Sequence, residues 1–216
     1  MTLISLDSEL RPSGNAFVLS GKSFESETIE KLVFRPVGDQ KYIIEDVAFI
    51  DCNVDSNVAV IRKGVTLKNV IFDNLVCKKP FEISAEAVLD NVVIKGNENP
   101  AMVWIRNQHE DRSEEIEFPD ATLDVSEYVG ELSITGIPVD SVVRNSDLHI
   151  VIKSSWLDEI DWKDLGFSPL SYWKLMAKKV SAAKCAEGIF SLPPKSGKNY
   201  ERSMSELELL KDNGFV

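Results

Sequence analysis

Three short segments of this chain repeat one pattern at nearly constant spacing. Glu45-Asp46-Val47-Ala48-Phe49 recurs as Lys68-Asn69-Val70-Ile71-Phe72 and again as Asp90-Asn91-Val92-Val93-Ile94. The copies lie 23 and then 22 residues apart. In each, Asp or Asn precedes an apolar residue, and a second large apolar residue follows two places later. A period of two sends both apolar side chains to the same face of an extended strand. Self-similarity at about 20 to 50 residues marks architectures built by stacking one unit on the next. The stretch from Tyr42 to Gly96 therefore organises the fold.

A finer rhythm runs inside the coarse one. Val47 and Phe49 are followed five residues later by Cys52 and Val54, and Val70 and Phe72 by Leu75 and Cys77. The segments Asp46 to Val54 and Asn69 to Leu75 resemble the pentapeptide-repeat family, whose unit is a small residue, Asp or Asn, Leu or Phe, then two variable positions. The likeness covers residues 46–94. It implies a right-handed β-helix with four five-residue faces per coil. The spacing here exceeds twenty, which requires insertions or a looser, three-sided coil.

Coils of a β-helix stack about 4.8 Å apart, as strands do in a sheet. Val47, Val70 and Val92 should then form one inward ladder, with Phe49, Phe72 and Ile94 beside it. Burial should contribute roughly 1.5–3 kcal/mol per side chain. The predicted fold is mainly β, a solenoid body with C-terminal α-helices. The alternative is an antiparallel β-sandwich with C-terminal helices, since period-two patterns serve ordinary strands too.

The open end of a stack needs a cover. Residues 1–41 hold short strand-like runs, Leu3 to Leu6, Ala16 to Leu19 and Lys31 to Phe34, and are the expected first coil and cap. Asp147 to Lys153 alternates cleanly, with Leu148, Ile150 and Ile152 on one face. Leu132-Ser133-Ile134-Thr135-Gly136 echoes Val92 to Gly96 at a spacing of 40, as two further coils would. Past Ser154 the periodicity becomes helical. Ser155 should cap a short helix, Trp156 to Leu165, ended by Gly166. Ser168-Pro169 should open a longer one reaching Glu187-Gly188, with Tyr172, Trp173, Met176, Val180 and Ala183 as its apolar stripe. Ser205 should cap a last helix, Glu206 to Lys211. These boundaries divide the chain into a β-helix body, 1–153, and a helical segment packed on it, 154–216.

Formal net charge is −11 over 216 residues. Such a chain repels nucleic acid and anionic lipid, and its natural electrostatic partner is basic. From His109 to Glu131 there are nine acids, Glu110, Asp111, Glu114, Glu115, Glu117, Asp120, Asp124, Glu127 and Glu131, against one base, Arg112. That stretch carries −8 of the −11. No basic leader precedes an apolar core at the start, and no run approaches the ~18 apolar residues of a membrane span. Three unpatterned cysteines, Cys52, Cys77 and Cys185, read as reduced and buried. The expected location is the cytoplasm.

Catalytic and cofactor signatures are missing. His109 and His149 flank no nucleophile motif, and there is no glycine-rich phosphate loop, CxxC, HExxH or GxSxG. No metal or cofactor is expected. The leading expectation is a non-enzymatic binding protein that neutralises a toxin or nucleic-acid enzyme through acidic surface. The resemblance implies a version of this, because some pentapeptide-repeat proteins mimic DNA to topoisomerases. The chain is also similar in general character to bacterial toxin immunity proteins. Contact residues would be Glu110, Asp111, Glu114, Glu115, Glu117 and Asp120, with Asp158, Asp161 and Trp162 second; Trp162 falls off the buried side of its helix beside carboxylates. The alternatives are a structural or assembly module, and a carbohydrate-active β-helix enzyme using Asp51 and Asp73 on successive repeats.

Overall fold

Alternation alone gives a straight strand, so a coil must contain residues that break it. In this computed structural model, which describes residues 3–97, 100–107 and 121–216, the breakers are the Asp and Asn of the repeat. In strand Lys41–Ile50, Ile44 is buried, Glu45 and Asp46 both face outward, and Val47 is buried again. Asp46 has φ 55°. That left-handed conformation is cheap only for Gly, Asn and Asp. It bends the chain and resets the alternation. Five residues later Asp51, at φ 51°, does the same ahead of buried Cys52. Asn69 and Asn74 repeat both bends in the next coil, Gly21 and Ser26 make them in the preceding one, and Asn91 makes the first in the following one.

The bend residues also bond to one another. The Asn69 side-chain amide donates to Asp46 Oδ1 at 2.8 Å, and that of Asn91 to Asn69 Oδ1 at 2.9 Å. At the second corner the Asn74 amide donates to Asp51 Oδ1 at 3.0 Å. Thr122 Oγ1 ends the first ladder by accepting from the Asn91 backbone N–H at 2.6 Å.

The body is a β-solenoid of parallel strands, not a sandwich. Its longest sheet runs Ala16–Glu25, Lys41–Ile50, Val65–Asp73, Val88–Lys95, Ala121–Asp124 and Val142–Val143. A second wall runs Leu32–Phe34, Ala59–Ile61, Phe81–Ser84, Val103–Arg106 and Leu132–Thr135. A short third joins Leu3–Ile4, Thr28–Ile29 and Asn53–Val54. Val47 pairs with Val70 and Val70 with Val92, as the repeat requires. Phe49 pairs with Phe72 and Phe72 with Ile94. Phe24 extends the second ladder, and its ring stacks on Phe49 at 5.2 Å, as Phe49 does on Phe72 at 5.3 Å. Cys52 and Cys77 are buried and unpaired, Cys185 is half-buried, and burial raises all three thiols.

The echo at Leu132 is false. Leu132–Thr135 pairs with Val103–Arg106 in the second wall, whereas Val92 is opposed by Leu123, 31 residues on. The lengthened coil takes its extra residues between Arg106 and Ala121.

Both ends are closed. At the first, Arg11–Ser13 folds back antiparallel on Ala16–Glu25 through a turn with Gly14 at φ 60°. Pro12 in that edge strand removes a donor that a further strand would need. At the other end Glu187–Ser191 pairs antiparallel with both Leu132–Thr135 and His149–Lys153. Ile189 faces the solenoid core, and Phe190 faces a second core built on Ile150, Ile152, Trp156, Trp173, Val180 and Leu207. One strand is thus a wall between two interiors.

The helices are shifted from their predicted spans. Helix α1 is a single turn, Trp156–Glu159, and Ser155 makes no side-chain cap. Helix α2 spans Tyr172–Ala182 and buries Trp173, Met176, Ala177 and Val180. Residues 187–191 are strand, because Lys184 turns left-handed at φ 57° just beyond the helix. Helix α3 spans Tyr200–Asp212, so Ser205 lies inside it and donates to the Glu201 carbonyl. Trp173 Nε1 donates to the Ser203 carbonyl at 2.7 Å, and buried Glu206 accepts from the Ser171 hydroxyl at 2.8 Å, fixing α3 to α2. The helical segment therefore starts near 154 but returns a strand to the sheet. Among the described residues no helix is long and apolar enough to cross a membrane.

Candidate partner surface

Charge is unevenly distributed along the solenoid axis. Residues 1–97 carry eleven bases and fourteen acids, a balance of −3. Residues 98–153 carry four bases and twelve acids, a balance of −8. Residues 154–216 carry nine of each and are neutral. The acidity is therefore concentrated in one stretch of sequence, and −6 of the −8 falls on 98–99 and 108–120, outside the described residues.

Six of the expected contact residues, Glu110, Asp111, Glu114, Glu115, Glu117 and Asp120, lie outside the described residues. The strands on either side of that stretch, Val103–Arg106 and Ala121–Asp124, belong to two walls of the solenoid. Beyond them Glu127, Glu131, Asp140 and Asp147 are exposed. Among these acids two valines are also exposed, Val129 at 52% and Val143 at 60%. Isolated exposed valines are ordinary; two on the most acidic coils give a partner apolar area to cover.

Rigid backbone supports this end. Tyr128 is buried, and its hydroxyl donates to the Ala101 carbonyl. Burial, aided by the Glu131 charge, holds the phenol above its ordinary range, so it stays neutral. The Gly96 N–H donates to the Glu127 carbonyl and the Val129 N–H to the Gly96 carbonyl, tying this turn to the preceding coil. Asp124 Oδ1 accepts from both the N–H and the hydroxyl of Ser126.

The second expected cluster divides. Asp158 and Asp161 are exposed, with Glu159 and Asp164 beside them. Asp161 Oδ1 accepts from the N–H groups of Lys163 and Asp164, both at 3.1 Å, which makes it a turn former as well as a surface charge. Trp162 is only 5% exposed. Its Nε1 donates to the Trp156 carbonyl at 3.1 Å and its ring lies 5.5 Å from Phe167. Because α1 stops at Glu159, a helical wheel carried to Leu165 puts Trp162 on the wrong side. Leu170, 76% exposed on the loop leading into α2, is the most exposed apolar side chain of this cap, ahead of Val216, Leu209 and Leu175.

Both carboxylates considered for sugar chemistry have structural partners. Asp51 accepts from Asn74 within the corner ladder, and Asp73 pairs with Lys95 at 3.1 Å. Among the described residues no group of three or more His, Cys, Asp or Glu is placed to hold a metal ion.

Sequence reading passed over a basic recess near the other end, lined by Arg35, Lys41 and Arg62. Arg35 and Arg62 are 27 residues apart, off the 22–23-residue repeat, so only the folded register brings them together.

Together these features define a capped β-solenoid. No protein-family model, curated protein or solved structure matches the chain. Its function must be argued from the surface itself.

Proposed function

We propose that this protein is a non-enzymatic inhibitor that captures a basic protein partner, a toxin or nuclease domain, on the acidic last coils of its solenoid, in the manner of an immunity protein. The observation that carries this reading is the balance of −8 confined to residues 98–153 while the helical segment beside them is neutral. Spread evenly, that charge would serve solubility; concentrated in one stretch of sequence, it steers a basic partner and accelerates encounter. Val129 and Val143 are the apolar contacts that would slow release.

Closed ends favour this reading over assembly. The antiparallel Arg11–Ser13 strand covers Ala16–Val18 of the first long strand, and the helical cap covers the other end, which leaves less edge for a second copy to extend.

The test is association of the full chain with the basic domain encoded by the neighbouring gene. The association rate should fall by at least tenfold between 50 mM and 500 mM salt. Glu127→Lys with Glu131→Lys should lower the low-salt rate by a similar factor while changing dissociation little. Rates indifferent to both salt and charge reversal would overturn the proposal. Purification that returns only copies of this chain would support the assembly alternative.

A further inference from the structure

Several exposed rungs of this solenoid set opposite charges side by side. Glu45, Lys68 and Asp90 stand in register on successive coils. Lys95 pairs with Asp73 on the neighbouring coil, and Arg106 reaches Glu82 at 3.4 Å. Opposite charges on adjacent strands stabilise a sheet and like charges destabilise it.

At one corner two cations meet instead. Phe34 is in register with Ile61, so Arg35 and Arg62, the next residues, sit on adjacent rungs, and the Arg62 N–H donates to the Phe34 carbonyl at 3.0 Å. Neither guanidinium forms an ion pair with a described residue, and neither does Lys41 across the same recess. Lys63 is paired with Glu86 at 2.8 Å, and Asp39 is the remaining acid of the lining. The recess therefore holds four bases and two acids, a balance of +2 in a chain of −11.

The corner is also built open. Its volume is about 820 Å³, within the range of small-molecule sites. Gly64 turns it at φ 82°, and a methyl added there would lie 3.2 Å from the Pro36 ring. Local rules are broken where function compensates for the cost. An anion between Arg35 and Arg62 would convert a repulsive pair into two charge-assisted contacts. Planar guanidinium forks match phosphate oxygens two at a time.

We infer that the recess at Arg35, Lys41 and Arg62 is a binding site for a small molecule bearing a diphosphate or longer phosphate chain. A single monoanion leaves one of three unpaired cations without a partner. A long polyanion meets the repulsion of the whole chain, and the recess has room for a compact ligand.

The test is thermal unfolding and isothermal titration of the full chain with inorganic pyrophosphate and tripolyphosphate, against sodium chloride at matched ionic strength. Both phosphates should raise the melting temperature and chloride should not. Arg35→Gln with Arg62→Gln should weaken phosphate binding at least tenfold, and Lys174→Gln, on α2, should leave it unchanged. Without ligand, Arg62→Gln alone should raise the melting temperature, because it removes the repulsion; an arginine that merely supports the fold would lower it. Equal stabilisation by chloride, undiminished binding by the double variant, or tighter binding to a single-stranded oligonucleotide than to tripolyphosphate would each overturn the assignment.

Discussion

At the residue scale the solenoid depends on a few amides held in an uncommon conformation. Asn69 is in the middle of its ladder, donating to Asp46 and accepting from Asn91. Replacing it with Ala forces a Cβ into the left-handed region and removes both bonds. The expected loss is about 2 kcal/mol, half of it from the backbone. Asn69→Gly should lose about half as much, since only the bonds go. Urea unfolding of both variants checks the order. His149 makes a different case. It is 2% exposed, and neither ring nitrogen forms a hydrogen bond of good geometry, although the Tyr128 carbonyl is near. Burial, reinforced by the Arg144 charge, lowers its pKa. The folded chain therefore resists a proton that the unfolded chain accepts below about 6.5. Stability should be flat with pH above that value. It should fall as pH drops from 6.5 toward 5, by at most about 1.4 kcal/mol per unit for this one group. His149→Gln should flatten that part of a plot of urea midpoint against pH. The inward residues were legible in sequence because Val47, Val70 and Val92 obey period two. The role of the residues before them was only half legible: Asp46 and Asn69 read as polar, while the left-handed turn they make comes from folding.

At the element scale strands were easier to read than helix ends. Trp156 to Leu165 is uniformly compatible with a helix, yet Ile160 is already extended, since burying Trp162 against Phe167 outweighs another helical turn. Glu187–Ser191 was hidden for a similar reason. Five residues after a helix carry no alternation, because Ile189 and Phe190 are both buried, one in each core. The available signal was Gly188. A methyl there would lie 2.9 Å from the Ile134 carbonyl oxygen and 3.0 Å from Val180, so only Gly lets the strand approach both sheet and helix. Gly188→Ala should cost roughly 1–3 kcal/mol, the usual range for overpacking. Tryptophan fluorescence should change with it, since Trp156 and Trp173 lie in the core that strand seals. An unchanged midpoint and spectrum would mean the strand can shift at no cost.

At the scale of the whole molecule, stacking makes each coil depend on its neighbours and leaves the ends to be protected. Deleting residues up to Ser13 uncovers the Ala16–Val18 edge and removes Leu6 from the core. The shortened chain should associate with increasing concentration in light scattering, while the intact chain should not. The candidate surface was legible as composition and not as shape. A count of charges finds the acidic section, but which valines stand among the acids follows only from the register. The recess at Arg35 and Arg62 was invisible for the same reason.

The fourth coil absorbs a 31-residue spacing while the coils before it keep 22 and 23, and the pairing shifts register once, between Leu89 and Val92, before Val92 meets Leu123. A scaffold that admits surplus chain at one seam for a single shift of register behaves as a socket. Segments of differing length and charge can be exchanged there while the hydrophobic pile beneath stays as it is. Recognition is thereby free to diverge on a schedule separate from folding.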